Sequence, residues 1–534
     1  LVASPLAAPA ASAPPAPLAP APADGGEGGS KGLQVPVKEG VLPNGLKVLV
    51  VERHEAPVVS CVVKFRVGGV DEKVGQTGIA HILEHMLFKG TDVWGTTDYA
   101  AEKPLLDRTE RLYHEILAAR EALPLEIRRH TEVLDDILRV SHALALAEAA
   151  PPERRDAAAA AALAEEAKPL LALDPSVQRV FDLEREFCRV QEEADRFVVD
   201  DEDWQILERN GAWGLNASTG ADSTQYFYSL PANRLELWAL VESGRMRHPV
   251  FRQFYKERDV IMEERRMRVD NNPNGVMWEQ LNAAAYTAHP YGSPVIGWAS
   301  DIARVSRSQV EAFFRKHYAP NRAVACVVGD VKFEAVMDLM RRYFGDIPRQ
   351  PDPEPVVTRE PPQLGERRIT AKVQNLRVPQ VALMFHRPAL GHPDMFALDI
   401  LSGVLSSGNT GRLDKSLWEK RIGRIFAGNQ DTLYPGTFVF VGTPLPGKTL
   451  EDVEKEIGEQ IARLRSEPVT DAEFAKVRNQ NAASLVRGMQ SGMDLAQTLT
   501  TYEILHGWDF INTYMERSAK VTKEDVMRVA AKYL

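Results

Sequence analysis

The sequence has few cysteines, no excess of basic charge and no long apolar run. It holds three cysteines among 534 residues, Cys61, Cys188 and Cys326, so neither a disulfide framework nor a zinc cluster built mainly from thiolates is expected. Sixty-four basic residues against 74 acidic ones give a net charge of −10, which argues against a nucleic-acid partner or an anionic lipid surface. No apolar run reaches the roughly 18 residues of a membrane-spanning helix. With 44% hydrophobic and 26% charged residues, the composition is that of a globular protein.

The start of the chain differs from the rest in composition. Residues 1–23 contain ten alanines and seven prolines, and a glycine-rich stretch follows at 25–29. Such a segment cannot bury enough apolar surface to offset the entropy lost on ordering. We therefore expect residues 1–32 to be disordered, as the remnant of an export signal or as a tether, because Ala11-Ser12-Ala13 resembles a small-residue cleavage site. This predicts a periplasmic, extracellular or envelope-tethered protein, with a cytoplasmic location as the alternative.

Hydrophobic patterning divides the remaining chain into two α+β domains. The first, residues 33–345, opens with a hairpin whose turn is Asn44-Gly45. Within it, residues 101–208 carry apolar side chains at helical spacing and predict an inserted helical hairpin or short coiled-coil arm. Six prolines mark 346–368 as a linker. Residues 369–534 again alternate strands and helices. The predicted fold class is α+β, with two antiparallel-sheet-plus-helix domains and a helical insertion.

One short segment carries the chemistry, the run from His81 through Glu84 to His85. The two histidines are four residues apart, so on a helix their rings project from one face and both can reach a zinc ion at ~2.0–2.1 Å. Glu84 stands beside them, where a carboxylate can take a proton from water. The flanking residues are apolar, and buried ionisable groups need a compensating partner, which a metal provides. This order of residues is the inverted zincin signature. Core histidines that bond to backbone carbonyls are the alternative.

Two histidines leave zinc one protein ligand short, so an acidic residue on another buried helix is expected. Glu257 and Glu264 are seven residues apart in a predicted helix and therefore share one face. Two carboxylates on one helix face are more often solvated than metal-bound. The pattern by itself leaves both interpretations open.

Several motifs together resemble those of the insulinase-type (pitrilysin family) zinc metallopeptidases, particularly the processing-peptidase-like branch. The resemblance covers roughly 33–100 and 209–534, and it implies two related domains of that family's type. The matching motifs, in chain order, are His81-x-x-Glu84-His85 with Met-x-Phe-Lys-Gly90-Thr91, Leu215-Asn216-Ala217-x-Thr219, Glu257-Arg258-x-Val260-Ile261-x-x-Glu264, His289-Pro290-Tyr291-Gly292 and Tyr318-x-Pro320-x-Arg322.

The resemblance implies an endopeptidase that uses one zinc ion per chain to activate water against peptides or unfolded protein segments. Its substrate would pair with an edge strand through main-chain hydrogen bonds. The implied roles are zinc binding for His81, His85 and Glu264, general base for Glu84, support of the site for Glu257, and substrate binding for Asn216 and Ala217.

Two departures from the family pattern affect this interpretation. The insertion places His85 and Glu264 179 residues apart, and we expect it to loop out without disturbing the site. The family's substrate-binding Arg and Tyr align on Trp418 and Ile425. Their absence implies that this chain is the catalytic half of a clamshell, completed by a second subunit or a further C-terminal half. The alternatives are an inactive, metallopeptidase-like scaffold subunit and a helical interaction module in which 101–208 is the functional part.

Overall fold

The structure is a computed structural model that describes residues 34–373 and 376–534. The segment 1–32, expected to be disordered, lies outside the described residues. Nine strands lie within them: β1 (Lys38–Val41), β2 (Lys47–Glu52), β3 (Val58–Phe65), β4 (Trp213–Thr219), β5 (Thr224–Pro231), β6 (Ala323–Gly329), β7 (Val381–His386), β8 (Gly423–Asn429) and β9 (Thr437–Pro444).

Twenty α-helices accompany these strands in the described ranges. They are α1 (Ile79–Met86), α2 (Tyr99–Glu121), α3 (Leu125–Arg129), α4 (Thr131–Ala149), α5 (Ala157–Leu171), α6 (Pro175–Asp195), α7 (Glu202–Arg209), α8 (Leu235–Arg247), α9 (Phe254–Arg265), α10 (Pro273–Ala285), α11 (Ala299–Ile302), α12 (Arg307–His317), α13 (Phe333–Phe344), α14 (Asp394–Leu405), α15 (Arg412–Trp418), α16 (Leu450–Ser466), α17 (Asp471–Gly488), α18 (Gly492–Leu505), α19 (Phe510–Ala519) and α20 (Lys523–Tyr533).

The first sheet has the strand order β1-β2-β6-β3-β5-β4, which leaves β4 at an edge. The hairpin predicted at Asn44-Gly45 joins β1 to β2, and Gly45 adopts the positive φ of +93° that such turns require. The α+β fold class is confirmed, with one difference from an all-antiparallel sheet. Strands β2 and β6 are parallel, because the long chain between them allows the crossover that parallel pairing needs.

The second sheet is antiparallel, in the order β7-β9-β8. Helices α14, α15 and α16 pack against it, and α20 packs on α14 and α16. The described residues between α13 and β7 form no helix or strand. This proline-rich segment is nevertheless held in place. The Glu360 carboxylate accepts hydrogen bonds from the backbone N–H groups of Thr287, Ala288 and His289 at 2.7–3.0 Å.

A helix from late in the chain covers the second face of the first sheet. Leu495 and Leu499 of α18 pack on Leu49, Val62 and Val328 of the sheet, and all five side chains are buried. The opposite face of the sheet packs on α1, α8 and α13. The first sheet is therefore completed by residues that follow the proline-rich segment by more than a hundred positions.

The insertion consists of helices α2 to α7. Helices α2 and α6 run antiparallel, because Leu106 packs near Ala194 at one end and Leu123 near Val177 at the other. The root of this arm belongs to the main core, where Tyr113 and other α2 residues are buried. The arm is therefore packed into the core of the first sheet rather than merely looped out from it. None of the described helices has the length and apolar character needed to cross a membrane.

Candidate metal centre

Helix α1 carries His81, Glu84 and His85. Its first residue is determined by a glycine and by a carboxylate. Gly78 has φ +87°, and a Cβ there would lie 2.5 Å from the Ile296 carbonyl oxygen, so only glycine fits. The Glu72 carboxylate accepts hydrogen bonds from the N–H groups of Gly78 and Ala80 at 2.8 and 2.9 Å. It thereby satisfies two of the backbone donors that every helix start leaves free.

Three potential ligand atoms converge beside α1. The Glu264 Oε2 atom lies 3.7 Å from His81 Nε2 and 3.4 Å from His85 Nε2, and all three ligand atoms lie within 4.8 Å of one another. Donors at zinc bond lengths of about 2.0–2.1 Å in a tetrahedron are ~3.3–3.4 Å apart, so this set fits a zinc ion. His81 Nδ1 is buried without a hydrogen-bond partner among the described residues. The ring atoms that fit a zinc ion are Nε2 of His81 and Nε2 of His85, which both face Glu264.

The two histidines have opposite pKa shifts. Burial, together with the neighbouring charge of His85, lowers the pKa of His81 to about 4, so that its ring is neutral near pH 7, as a metal ligand must be. Burial also acts to lower the pKa of His85, but its hydrogen bonds with Glu257 and Glu264 outweigh that effect and raise the pKa to about 9. A cation at His85 Nε2 thus competes with a proton.

Glu257 orients the ring of His85. Its Oε1 atom lies 2.8 Å from His85 Nδ1, and its Oε2 atom lies 2.7 Å from the ammonium group of Lys89. Burial would raise the pKa of Glu257, but the His85 hydrogen bond and the Lys89 charge lower it to about 2. The carboxylate is ionised and directs Nε2 of His85 toward Glu264, as outer carboxylates do at metal-binding histidines.

Glu264 occupies the last turn of α9, and the helix changes its winding directly after it. Residues Arg266–Asp270 form a π-helical turn, a feature often found at functional sites. Arg268 in this turn forms an ion pair with Glu264, with its guanidinium 2.9 Å from Oε1, and Oε2 faces the histidines. Burial acts to raise the pKa of Glu264, but its contacts with His85, His81 and Arg268 lower it overall.

Glu84 is joined to the edge strand β4. The Thr219 hydroxyl, at the end of β4, donates a hydrogen bond to Glu84 Oε2. Burial raises the pKa of Glu84, although this hydrogen bond opposes the shift. Asn216 and Ala217 lie on the same strand, and the Ala217 N–H donates to the Asn216 side-chain oxygen at 2.9 Å. The residues predicted for chemistry and for substrate binding thus lie around one site.

Three contacts at this site were not anticipated from the sequence: those of Thr219, Lys89 and Arg268. Thr219 and Lys89 lie within motifs that predicted the site, but a threonine and a lysine at those positions did not indicate which residues they would contact. Arg268 is four residues after Glu264, the spacing at which helical side chains of opposite charge meet. That spacing was the one available signal.

Two sequence-family models match the chain. Residues 47–103 match the model described as insulinase (peptidase family M16), and residues 304–481 match the one described as peptidase M16 inactive domain. Both models belong to peptidase family M16, the insulinase family. The insulinase-type match includes all of α1, so the convergent histidines lie in the part of the chain that the family describes.

Individual proteins are similar to this chain over much of its length. The zinc protease PqqE of Helicobacter pylori is 29% identical over 62% of this chain and 75% of its own length. A probable mitochondrial-processing peptidase subunit beta of Arabidopsis thaliana is 25% identical over 60% of this chain and 62% of its own length. The crystal structure of a Helicobacter pylori protease superimposes with a TM-score of 0.69 at 23% identity, covering 93% of this chain and 96% of that one. The last similarity supports the fold.

Proposed function

We propose that this M16 protein is a zinc-dependent endopeptidase that hydrolyses peptides or unfolded protein segments. The observation that carries the proposal is the convergence of His81, His85 and Glu264 with Glu84 beside them. One zinc ion per chain would be held by those three side chains. A relative named as a zinc protease supports the same chemistry.

The residues of the site have separable roles in this mechanism. When bound, zinc would polarise the scissile carbonyl and lower the pKa of water toward ~7. Glu84 accepts the proton of the attacking water and delivers it to the departing amine. Thr219 holds one oxygen of Glu84 and leaves the other free for this transfer. Glu257 keeps His85 in the orientation that binds the metal.

The substrate would add a strand to the first sheet at β4. This strand is at the sheet edge, and Asn216 is exposed on it while Ala217 is half-buried. A peptide pairing there through its main chain would replace the bond between the Ala217 N–H and the Asn216 side chain. Such recognition tolerates varied sequences and brings the peptide beside Thr219 and Glu84.

A second subunit or a further C-terminal half is the partner we propose. Trp418 and Ile425 occupy the positions of the family's substrate-binding Arg and Tyr; Trp418 is exposed, and Ile425 is buried in the second domain, so neither supplies an equivalent polar group. One relative is named as a subunit of a processing peptidase. Export remains a prediction, since residues 1–32 lie outside the described residues.

Zinc content and cleavage of quenched fluorescent peptides test the proposal together. Glu84→Gln should keep its zinc and lose activity by about 10²–10⁴-fold, because only the proton acceptor is removed. Glu264→Ala should lose both. Glu263→Gln is the matched control: its side chain is 63% exposed on the same helix, and it should keep both.

The inactive-scaffold alternative makes a different prediction for the same experiment. If the zinc-loaded wild type, supplied with its partner, cleaves no faster than Glu84→Gln, the enzyme proposal fails. A protein that binds zinc but shows that result would be a metal-bearing scaffold.

A further inference from the structure

A second group of metal-ligating side chains lies at the root of the arm. His142 stands on α4, and Glu184 and Cys188 stand one turn apart on α6, so that both project toward it. His142 Nδ1 lies 3.1 Å from Glu184 Oε2 and 4.0 Å from Cys188 Sγ. One potential ligand atom from each of the three residues lies within 4.8 Å of the other two.

The surroundings of this group suit an ion that enters from solvent. Glu184 and Cys188 are 2% and 1% exposed, whereas the His142 side chain is 35% exposed and forms the open side. Arg120 donates to Glu184 Oε1 at 2.8 Å and leaves Oε2 directed at His142. A neighbouring group that fixes one carboxylate oxygen orients the other, as at known metal sites.

The thiol of Cys188 lies in negatively charged surroundings. Burial, with the carboxylates of Glu184 and of Asp259 on α9, raises its pKa, so it holds its proton in the absence of a cation. A metal ion provides the positive charge that makes the thiolate favourable at such a position. The nitrogen, oxygen and sulfur donors together suit zinc or cobalt(II) and not magnesium or calcium.

We propose that His142, Glu184 and Cys188 bind a divalent thiophilic metal ion of the zinc class, separate from the centre at His81. Binding replaces the thiol proton, which leaves to solvent, and His142 coordinates through Nδ1 with its proton on Nε2. Tetrahedral donors at zinc bond lengths are ~3.3–3.7 Å apart, so side-chain rotations suffice. The ion joins α4 to α6 where Phe187 packs on Tyr255 of α9, with ring centroids 5.1 Å apart.

Cobalt(II) titration of the metal-stripped full chain tests this site, because a thiolate–cobalt charge-transfer band reports sulfur coordination alone. The centre at His81 offers no sulfur donor, so the band is independent of the proposed peptidase function. The wild type should develop the band as one equivalent of cobalt(II) binds at this site. The Cys188→Ala and His142→Ala variants should lose the band or show it strongly weakened. Cys326→Ala, which removes another free and buried cysteine, should keep it.

Zinc content gives a second measurement on the same proteins. The wild type should bind two ions per chain, and the Cys188→Ala and His142→Ala variants one each, with far-UV circular dichroism unchanged. His142 is partly exposed, so its variant should fold even if Cys188→Ala does not. Absence of the band from wild type, its persistence in Cys188→Ala, or equal zinc content in wild type and His142→Ala would overturn the proposal.

Discussion

Lys64 is a buried cation whose removal should stabilise the protein. Its side chain lies on β3 facing α18, is 3% exposed, and donates to the Thr501 hydroxyl as its one hydrogen-bond partner among the described residues. Burial lowers its pKa from 10.5 to about 7. Each pKa unit corresponds to about 1.4 kcal/mol, so keeping this lysine charged costs the fold up to roughly 5 kcal/mol. Lys64→Met retains the aliphatic volume and removes that cost.

The stabilisation should depend on pH in one direction. Below pH 7, Lys64 is charged in both the folded and the unfolded states, and the cost of burial is fully present. Between about pH 7 and 10.5 the unfolded chain binds the extra proton, so the stability of the wild type rises with pH. The advantage of Lys64→Met should therefore be several kcal/mol near pH 6 and shrink by about 1.4 kcal/mol per pH unit above 7.

Urea unfolding of wild type and Lys64→Met at about pH 6, 7.5 and 9 measures this difference directly. Lys455→Met on α16 is the control, since its side chain is exposed and its replacement should change little at any pH. Peptidase activity should be retained because Lys64 faces α18, on the side of the sheet opposite α1. A Lys64→Met variant that is less stable, or whose advantage does not change with pH, would refute the reasoning.

Three further predictions concern the site and its supports. Thr219→Val should lower kcat about 10–100-fold with little change in KM, because it frees the Glu84 carboxylate to move. Thr219→Ser keeps a hydroxyl and should restore kcat. Steady-state kinetics in which the Ser and Val variants are equally impaired would contradict this role of the hydroxyl. Glu102→Ala should cost about 3–5 kcal/mol in chemical unfolding, because it removes the carboxylate 2.9 Å from the buried Arg252 guanidinium and leaves that charge with hydrogen bonds to backbone carbonyl groups alone among the described residues. Unchanged stability would count against the arm being anchored there. Gly78→Ala should lower both thermal stability and zinc content through its clash with the Ile296 carbonyl, and normal zinc content would show that the start of α1 tolerates a side chain.

The parts of the site that follow from local geometry could be predicted from the sequence. His81, Glu84 and His85 share a face because of helical spacing alone, and the structure places them on α1. The spacing of Glu257 and Glu264 indicated that they share one helix face, but not which of them faces Nδ1 of His85 and which faces Nε2. That depends on the packing of α9 against α1, which sets one carboxylate at Nδ1 of His85 and the other at Nε2.

Long-range contacts account for what the sequence did not reveal. The bond between Thr219 and Glu84 joins residues 135 positions apart, and a threonine in a strand has no pattern that names its partner. Strand β8 was not predicted, since its glycines and its single arginine weaken the alternation that marks a strand. The insertion was recognised from apolar side chains at helical spacing, but its burial at the root was not. That depends on aromatic contacts such as the one between Tyr113 and Tyr255, with ring centroids 4.5 Å apart.

The packing of α18 on the first sheet also constrains how this chain is made. Lys64 on β3 and Thr501 on α18 are 437 residues apart, and translation at about 5–20 residues per second takes some 20–90 s to cover that distance. During that time the apolar face around Val62 has no cover, and exposed sheet surface of this kind favours aggregation. The nascent chain should therefore depend on a chaperone during synthesis. Fragments that stop within the proline-rich segment should be recovered as aggregates.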